Sequence, residues 1–210
     1  MKSAARALAL GVLLVWCSSV ARGASDGSAV LASAYGRNAA LASYTFRMQV
    51  AMTMHHFPWL RFHMQGTGRY QRGVRYDVHF ADVPFFAGNF HRVDLSTLAP
   101  AMWKNHYRVS VVGPSHGNTV FRLVPSGPDT LQQAFVTVGP TSGANLVQMH
   151  YTDGSNIVLR INSTDVTGYL VPVQAQATID AGHNSLSADA TFSDYSFAVK
   201  RASSPARLER

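Results

Sequence analysis

The sequence predicts a mainly β (α+β) protein: a strongly curved antiparallel sheet forming an incomplete barrel, with an N-terminal helix and a short helical lid. Three observations predict it. Apolar and polar residues alternate with period two in run after run from Tyr44 onward. Turn signals of hairpin type separate those runs, and only the stretches before Tyr44 and between Asp82 and His106 depart from the pattern. Many consecutive hairpins around few helices favour a sheet that curls on itself over a layered α/β architecture.

The first residues carry Lys2 and Arg6, then an apolar run from Ala7 to Trp16, then small residues ending in Ala21-Arg22-Gly23. This is the pattern of a secretory signal peptide, with cleavage expected after Gly23 and Ala21 as the alternative. About ten apolar residues are too few to cross a bilayer, and no later run approaches the roughly 20 a spanning helix needs. The expectation is a signal peptide over 1–23, a single domain over 24–199 and a basic, disordered tail over 200–210, in a protein exported to the periplasm. The one cysteine, Cys17, falls in the leader, so the mature chain carries no disulfide, thiolate nucleophile or cysteine metal ligand. Lipid attachment at Cys17 is disfavoured by the bulk of Trp16 before it.

The formal charge of +7 looks like a nucleic-acid signature, but residues 24–199 hold eleven basic residues against ten acidic ones. The surplus sits in the leader and in the tail, at Lys200, Arg201, Arg207 and Arg210. The tail offers at most a peripheral membrane contact through anionic headgroups.

Taken in order, Ser25 to Ser43 is rich in alanine and reads as a helix, capped by Asp26 or Ser28 and weakened by Gly36. From Tyr44 the inward phase runs Phe46, Met48, Val50, Met52 and Met54. After His56-Phe57-Pro58 it resumes with Leu60, Phe62, Met64, Gly66, Gly68 and Tyr70. A third run carries Val74, Tyr76, Val78 and Phe80. Matching even-numbered apolar positions across these last two strands requires an odd loop, which Gln71-Arg72-Gly73 supplies, with glycine left-handed. Further strands are expected at 107–112, 120–124, 134–138, 146–152, 156–162, 169–179 and 186–199, about ten in all. Gly113-Pro114, Ser126-Gly127-Pro128, Gly139-Pro140 and Asp153-Gly154 mark turns. In the last run the apolar phase shifts from Phe192 to Tyr195, which predicts a bulge near Ser193-Asp194.

Between Asp82 and His106, Phe85, Phe86, Phe90, Leu95, Leu98, Met102 and Trp103 are apolar without sustained alternation. Leu95, Leu98 and Met102 have helical spacing, and Pro100 limits any helix to short pieces. This segment reads as a lid.

Catalytic chemistry is not in evidence. No serine lies in a Gly-x-Ser-x-Gly turn, no glycine loop cradles phosphate, and the aspartates are isolated. His55, His56, His63, His79 and His91 lack carboxylate companions at ligand spacing and read as solvated side chains, so no metal and no cofactor is expected. Tyr70 and Tyr76 belong to the inward phase while Arg69 and Arg75 point outward, so they form no single-strand nucleic-acid platform. The inward face itself is distinctive: soft methionines beside rigid phenyl rings suit irregular apolar guests.

Ala32-x-Ala-Tyr35 through Leu41-Ala-Ser-Tyr44, followed at once by the Phe46 to Met54 strand, resembles the opening of the periplasmic lipoprotein-carrier family (LolA-like) and its outer-membrane lipoprotein-sorting relatives. The order of Tyr107-Arg-Val-Ser-Val, Val120-Phe-Arg-Leu-Val-Pro and Phe135-Val-Thr-Val-Gly agrees. So do the Asp153-Gly154 hairpin, Gly168-Tyr169-Leu-Val-Pro172 and Phe192-Ser-Asp-Tyr195-Ser-Phe197. The resemblance covers nearly the whole mature chain. It implies an incomplete barrel closed by helices over an apolar cavity that shelters acyl chains. In the carriers an arginine on an early strand is implicated in holding the lid closed; Arg47 lies in that region but has outward phase, so the role is not carried over.

The expectation is therefore a non-enzymatic exported protein that binds lipid or acylated lipoprotein. The ligand would lie against Phe46, Met48, Val50, Met52, Phe62, Met64, Tyr76, Val78 and Phe80, beneath a lid bearing Phe85, Phe86, Phe90, Leu98 and Trp103. The alternative is an envelope interaction or sensor module with a filled core that docks a protein partner.

Overall fold

The computed structural model describes residues 27–81, 83, 91–181 and 184–199. The expected leader, the tail and the lid residues Phe85, Phe86 and Phe90 lie outside them. Helix α1 covers residues 27–36. Strands β1 (Leu41–Met54), β2 (Arg61–Gln71), β3 (Arg75–Phe80) and β4 (Arg92–Asp94) follow. After a 3-10 turn at Ser96–Leu98 and helix α2 (Pro100–His106) come β5 (Tyr107–Ser115), β6 (Asn118–Pro125), β7 (Leu131–Gly139), β8 (Gly143–Tyr151), β9 (Asn156–Val166), β10 (Tyr169–Ala181) and β11 (Asn184–Val199).

All eleven strands form one antiparallel sheet in the order β4-β3-β2-β1-β11-β10-β9-β8-β7-β6-β5. The chain walks from β1 to one edge at β4. It then passes through the 3-10 turn and α2 to the opposite edge at β5, and returns by hairpins until β11 pairs with β1. β4 and β5 do not pair, so the barrel stays open there. Curvature follows from what the strands share. β3 and β8 are six strand spacings apart, about 29 Å on a flat sheet. Phe80 of β3 and Tyr151 of β8 nevertheless line one small cavity. The expected strongly curved, incomplete barrel is the fold observed.

The pairing registers assemble the core in rows. Phe197, Tyr44, Tyr70 and Tyr76 stand opposite one another across β11, β1, β2 and β3. Two rows along, Phe192, Met48, Gly66 and Phe80 do the same, followed by Ala190-Val50-Met64 and Ala188-Met52-Phe62. Gly68 faces Phe46 across β1 and β2, and a Cβ there would meet Phe46 Cζ at 1.9 Å. The ring thus occupies the space the glycine leaves.

The predicted bulge is present: Thr45 pairs with Ser196 and Arg47 with Ser193, so Asp194 and Tyr195 together oppose Phe46, with Asp194 at φ +53°. Tyr195 thereby returns to the inner face, stacked on Phe46 at 5.7 Å.

Four expectations need correction. The N-terminal helix ends well before Ser43, because Asn38 adopts a left-handed conformation at φ +54° and Leu41 already belongs to β1. The β2–β3 loop is Arg72-Gly73-Val74, one residue later than expected. Gln71 pairs with Arg75, which keeps the predicted even parity with Gly73 at φ +72°, but leaves Val74 exposed. Gly113-Pro114 is not a turn: it lies within β5 after a register shift, and the chain reverses at His116-Gly117, both with positive φ as a two-residue type I′ turn requires. The eleventh strand, β4, was not expected. Its three residues are too few for alternation to show.

Candidate apolar cavity and the polar pocket beside it

The site begins with residue size. On the inward phase of β10 and β11, where strands normally carry β-branched or aromatic residues, stand Ala175, Ala177, Ala188 and Ala190. Ala175 pairs with Ala190 and Ala177 with Ala188, so four methyl groups form a low floor across two adjacent strands. Around it rise Met48, Val50, Met52, Met64 and Phe80 from β1 to β3, Met149 and Tyr151 from β8, and Ile157 and Leu159 from β9. Leu95 and Leu98 close it from the crossing segment. The result is an almost wholly apolar cavity of about 150 Å³. Its methionines are unbranched and polarisable, so its shape can adapt to a guest.

The crossing segment is held by a short polar network. Asp94 accepts the Ser96 backbone N–H (2.8 Å) and hydroxyl (3.0 Å), and Ser96 Oγ meets the Tyr107 hydroxyl at 2.6 Å. Burial pushes the Tyr107 phenol up to about 12. Trp103 Nε1–H donates to the Thr97 carbonyl (3.0 Å) and its ring packs on Phe121. Pro100 opens α2, which has seven residues, as the sequence suggested.

Of the residues expected to touch a ligand, Met48, Val50, Met52, Met64, Phe80 and Leu98 line the cavity. Phe46 and Val78 are buried in the core beside it, Trp103 is buried away from it, and Phe62 is half-buried against the core. Tyr76 lines a different pocket. The alanine floor was overlooked, although its signal was legible: small residues at four inward positions of two strands.

The second pocket, about 70 Å³, lies under the C-terminal end of α1. Arg37 and Asn38, Tyr44, Tyr70 and Tyr76, and Gly143 and Ser163 from the far side of the barrel contribute to it, and Leu98 lies between it and the apolar cavity. Asn38 exchanges two hydrogen bonds with the backbone of Leu170 on β10 (2.8 and 3.1 Å). Arg72, in the β2–β3 loop, donates to the carbonyls of Tyr35, Arg37 and Asn38, at and just beyond the helix end where carbonyls lack intrahelical partners; the Asn38 carbonyl also accepts the Leu41 N–H at 2.9 Å. Arg72 therefore pins α1 onto the barrel. Arg47 does not: it points outward, as expected, and pairs with Asp194 at 3.4 Å in solvent. Burial drives the Tyr44 phenol well above its ordinary value, reinforced by Tyr76, Tyr195 and Tyr70; burial also raises Tyr76 and Tyr195.

On the outer face, Asp77 is only 3% exposed, held by Arg92 at 2.7 and 2.9 Å. Among the described residues, no three histidine, cysteine or acidic side chains gather as metal ligands. No helix among them is long and apolar enough to cross a membrane. At the β1–β2 tip, Trp59 is 76% exposed and Phe57 48%, their rings edge to face at 5.6 Å.

No family model and no curated protein sequence matches the chain. Solved structures do. A LolA-superfamily protein from Nitrosomonas europaea aligns with TM-score 0.58 at 10% identity, over 82% of this chain and 93% of the other. An outer-membrane lipoprotein-sorting protein domain from Vibrio parahaemolyticus, described as putative, gives 0.57 at 12%, over 86% and 95%. A DUF1329-family protein from Desulfovibrio piger gives 0.57 at 7%, over 84% and 95%. At such identities the likeness speaks to architecture: this chain has the LolA-like fold.

Proposed function

We propose that the protein is an exported, non-enzymatic carrier that shelters lipid acyl chains, lipoprotein-borne chains included, in the apolar cavity of its barrel. The observation that carries this reading is the alanine floor beneath methionine walls, which keeps about 150 Å³ of apolar space open where a stability-driven core would be filled. Each methylene placed there is worth about 0.8 kcal/mol, so binding needs no polar chemistry. The cavity is smaller than the roughly 300–1,000 Å³ of most ligand pockets. In its present shape it takes part of a chain, and rotation of Met48, Met52, Met64 and Met149 admits more. The lipoprotein-sorting names of the structural neighbours are consistent with this class of guest.

The test is native mass spectrometry of the protein isolated from producing cells without detergent. Bound mass that extracts into organic solvent, and is lost in Met52→Asp, supports the carrier. A clean apo mass that stays unchanged after incubation with lipids removes it. The exposed Phe57 and Trp59 favour one second reading, an envelope module that docks a partner through this tip. Under that reading, Trp59→Ser abolishes partner capture while lipid binding is absent throughout.

A further inference from the structure

The polar pocket under α1 contains two groups that the fold itself leaves unused. Tyr76 is 2% exposed, and its hydroxyl makes no hydrogen bond of ordinary geometry, although the Tyr44 hydroxyl lies close enough to interact with it electrostatically. Arg37 Nη2 donates to the Pro140 carbonyl at 2.7 Å, but Nη1 is buried and unpartnered. No carboxylate among the described residues pairs with this guanidinium. Buried donors are normally satisfied, and a half-buried cation normally has an anion nearby. Here both donors border the same pocket, which has room for several waters or one small oxyanion. The fold keeps them in place: Asn38 fastens the end of α1 to β10, Arg72 fastens it to the β2–β3 loop, and a Cβ at Gly143 would come within 3.2 Å of Nη1.

We propose that Arg37 and Tyr76 form an oxyanion subsite that takes the acidic headgroup of an amphiphile, carboxylate or phosphate ester, while the alkyl chain passes Leu98 into the apolar cavity. Leu98 borders both spaces, so a ligand that displaces its side chain would reach from one into the other. The chain's position rests on the carrier reading; the anion subsite does not. Hydrogen bonds to a charged group are the strong ones, so an anionic amphiphile should bind about ten- to a hundredfold tighter than a neutral one of equal length.

The experiment compares dodecanoate, dodecyl phosphate and dodecanol by titration calorimetry, and butyrate and methyl phosphate by tyrosine NMR, on the wild type, Tyr76→Phe and Arg37→Gln. Both variants should lose most of the preference for the anionic amphiphiles and keep dodecanol affinity. The acid and the phosphate, measured separately, identify which headgroup is preferred. Dodecanol binding equal to dodecanoate and dodecyl phosphate, or a preference that neither variant reduces, overturns the subsite and leaves the cavity standing. Short anions that bind and are lost in the variants, with no dodecanol binding, keep the subsite and overturn the carrier. Binding of neither class overturns both. Tyr76→Phe also provides a structural control: an unpaired hydroxyl predicts unchanged or raised thermal stability, and a marked loss shows that the hydroxyl is spent on holding the fold.

Discussion

Filling the cavity from its floor separates a binding space from an imperfect core. Ala188 faces Met52 on one side and Ala177 on the other, and is buried. At about 24 cal/mol per Å³, an empty apolar space of 150 Å³ costs the apo protein roughly 3–4 kcal/mol. Ala188→Leu places about three more methylene equivalents there, worth at most about 2.4 kcal/mol. Strain against Met52 reduces the gain, so about 1–2 kcal/mol of stabilisation is expected, seen as a rise of several degrees in Tm. The same three carbons take the place of ligand. Dodecanol affinity should therefore fall by up to roughly 50-fold, the equivalent of that 2.4 kcal/mol. Urea denaturation and calorimetry read the two effects on one sample. A variant that is destabilised by more than about 1 kcal/mol shows that the space is already filled. One that is stabilised yet binds dodecanol normally shows that the ligand lies elsewhere. Either result refutes the reasoning.

Further predictions follow from single contacts. Gly68→Ala drives a methyl group into the fully buried Phe46 ring and should cost at least the 1–3 kcal/mol typical of overpacking, measured as a lower urea midpoint at unchanged m-value; Phe46→Leu in the same chain should recover part of it. Arg72→Ala removes the donor to the Tyr35 and Arg37 carbonyls and one of the two donors to the Asn38 carbonyl, and should cost about 1–3 kcal/mol. Hydrogen exchange should speed up over residues 27–36 while β6 and β7 remain protected, and uniform loosening would count against a local clamp. The buried tyrosines predict alkaline sensitivity. Tyr107, pushed up to about 12, stays protonated in the folded state at pH values where the unfolded chain has lost that proton. The unfolded state then binds fewer protons than the folded one, so stability is intact below about pH 10 and declines as pH rises toward 12. Tyrosinate absorbance that tracks unfolding supports this, whereas full ionisation near pH 10 in a folded protein contradicts it.

Much of the architecture is written in local patterns. Period-two alternation locates the strands because successive side chains of a strand face opposite sides of the sheet, and the phase slip between Phe192 and Tyr195 marks a bulge for the same reason. Glycines in phase at Gly66 and Gly68 show a place where another group must approach the backbone. The same alternation pointed to an apolar, methionine-rich inner face. What remained hidden depends on neighbours distant in sequence. Whether Gly113-Pro114 reverses the chain depends on pairing with β6, and three residues become β4 only because β3 offers them an edge. The cavity has the same origin: four small inward residues are legible in the sequence, but they become a floor only when β10 pairs with β11. Met52 and Leu159 become walls only when the sheet curls. Arg37, expected within the N-terminal helix, and Arg72, expected in a loop, gained their carbonyl partners only when the barrel closed around them. The sequence by itself determined which face of each strand is apolar, because that follows from neighbours two residues apart. Only the tertiary structure decided where that face is filled and where it is left open, because volume is a property of residues that meet across the barrel.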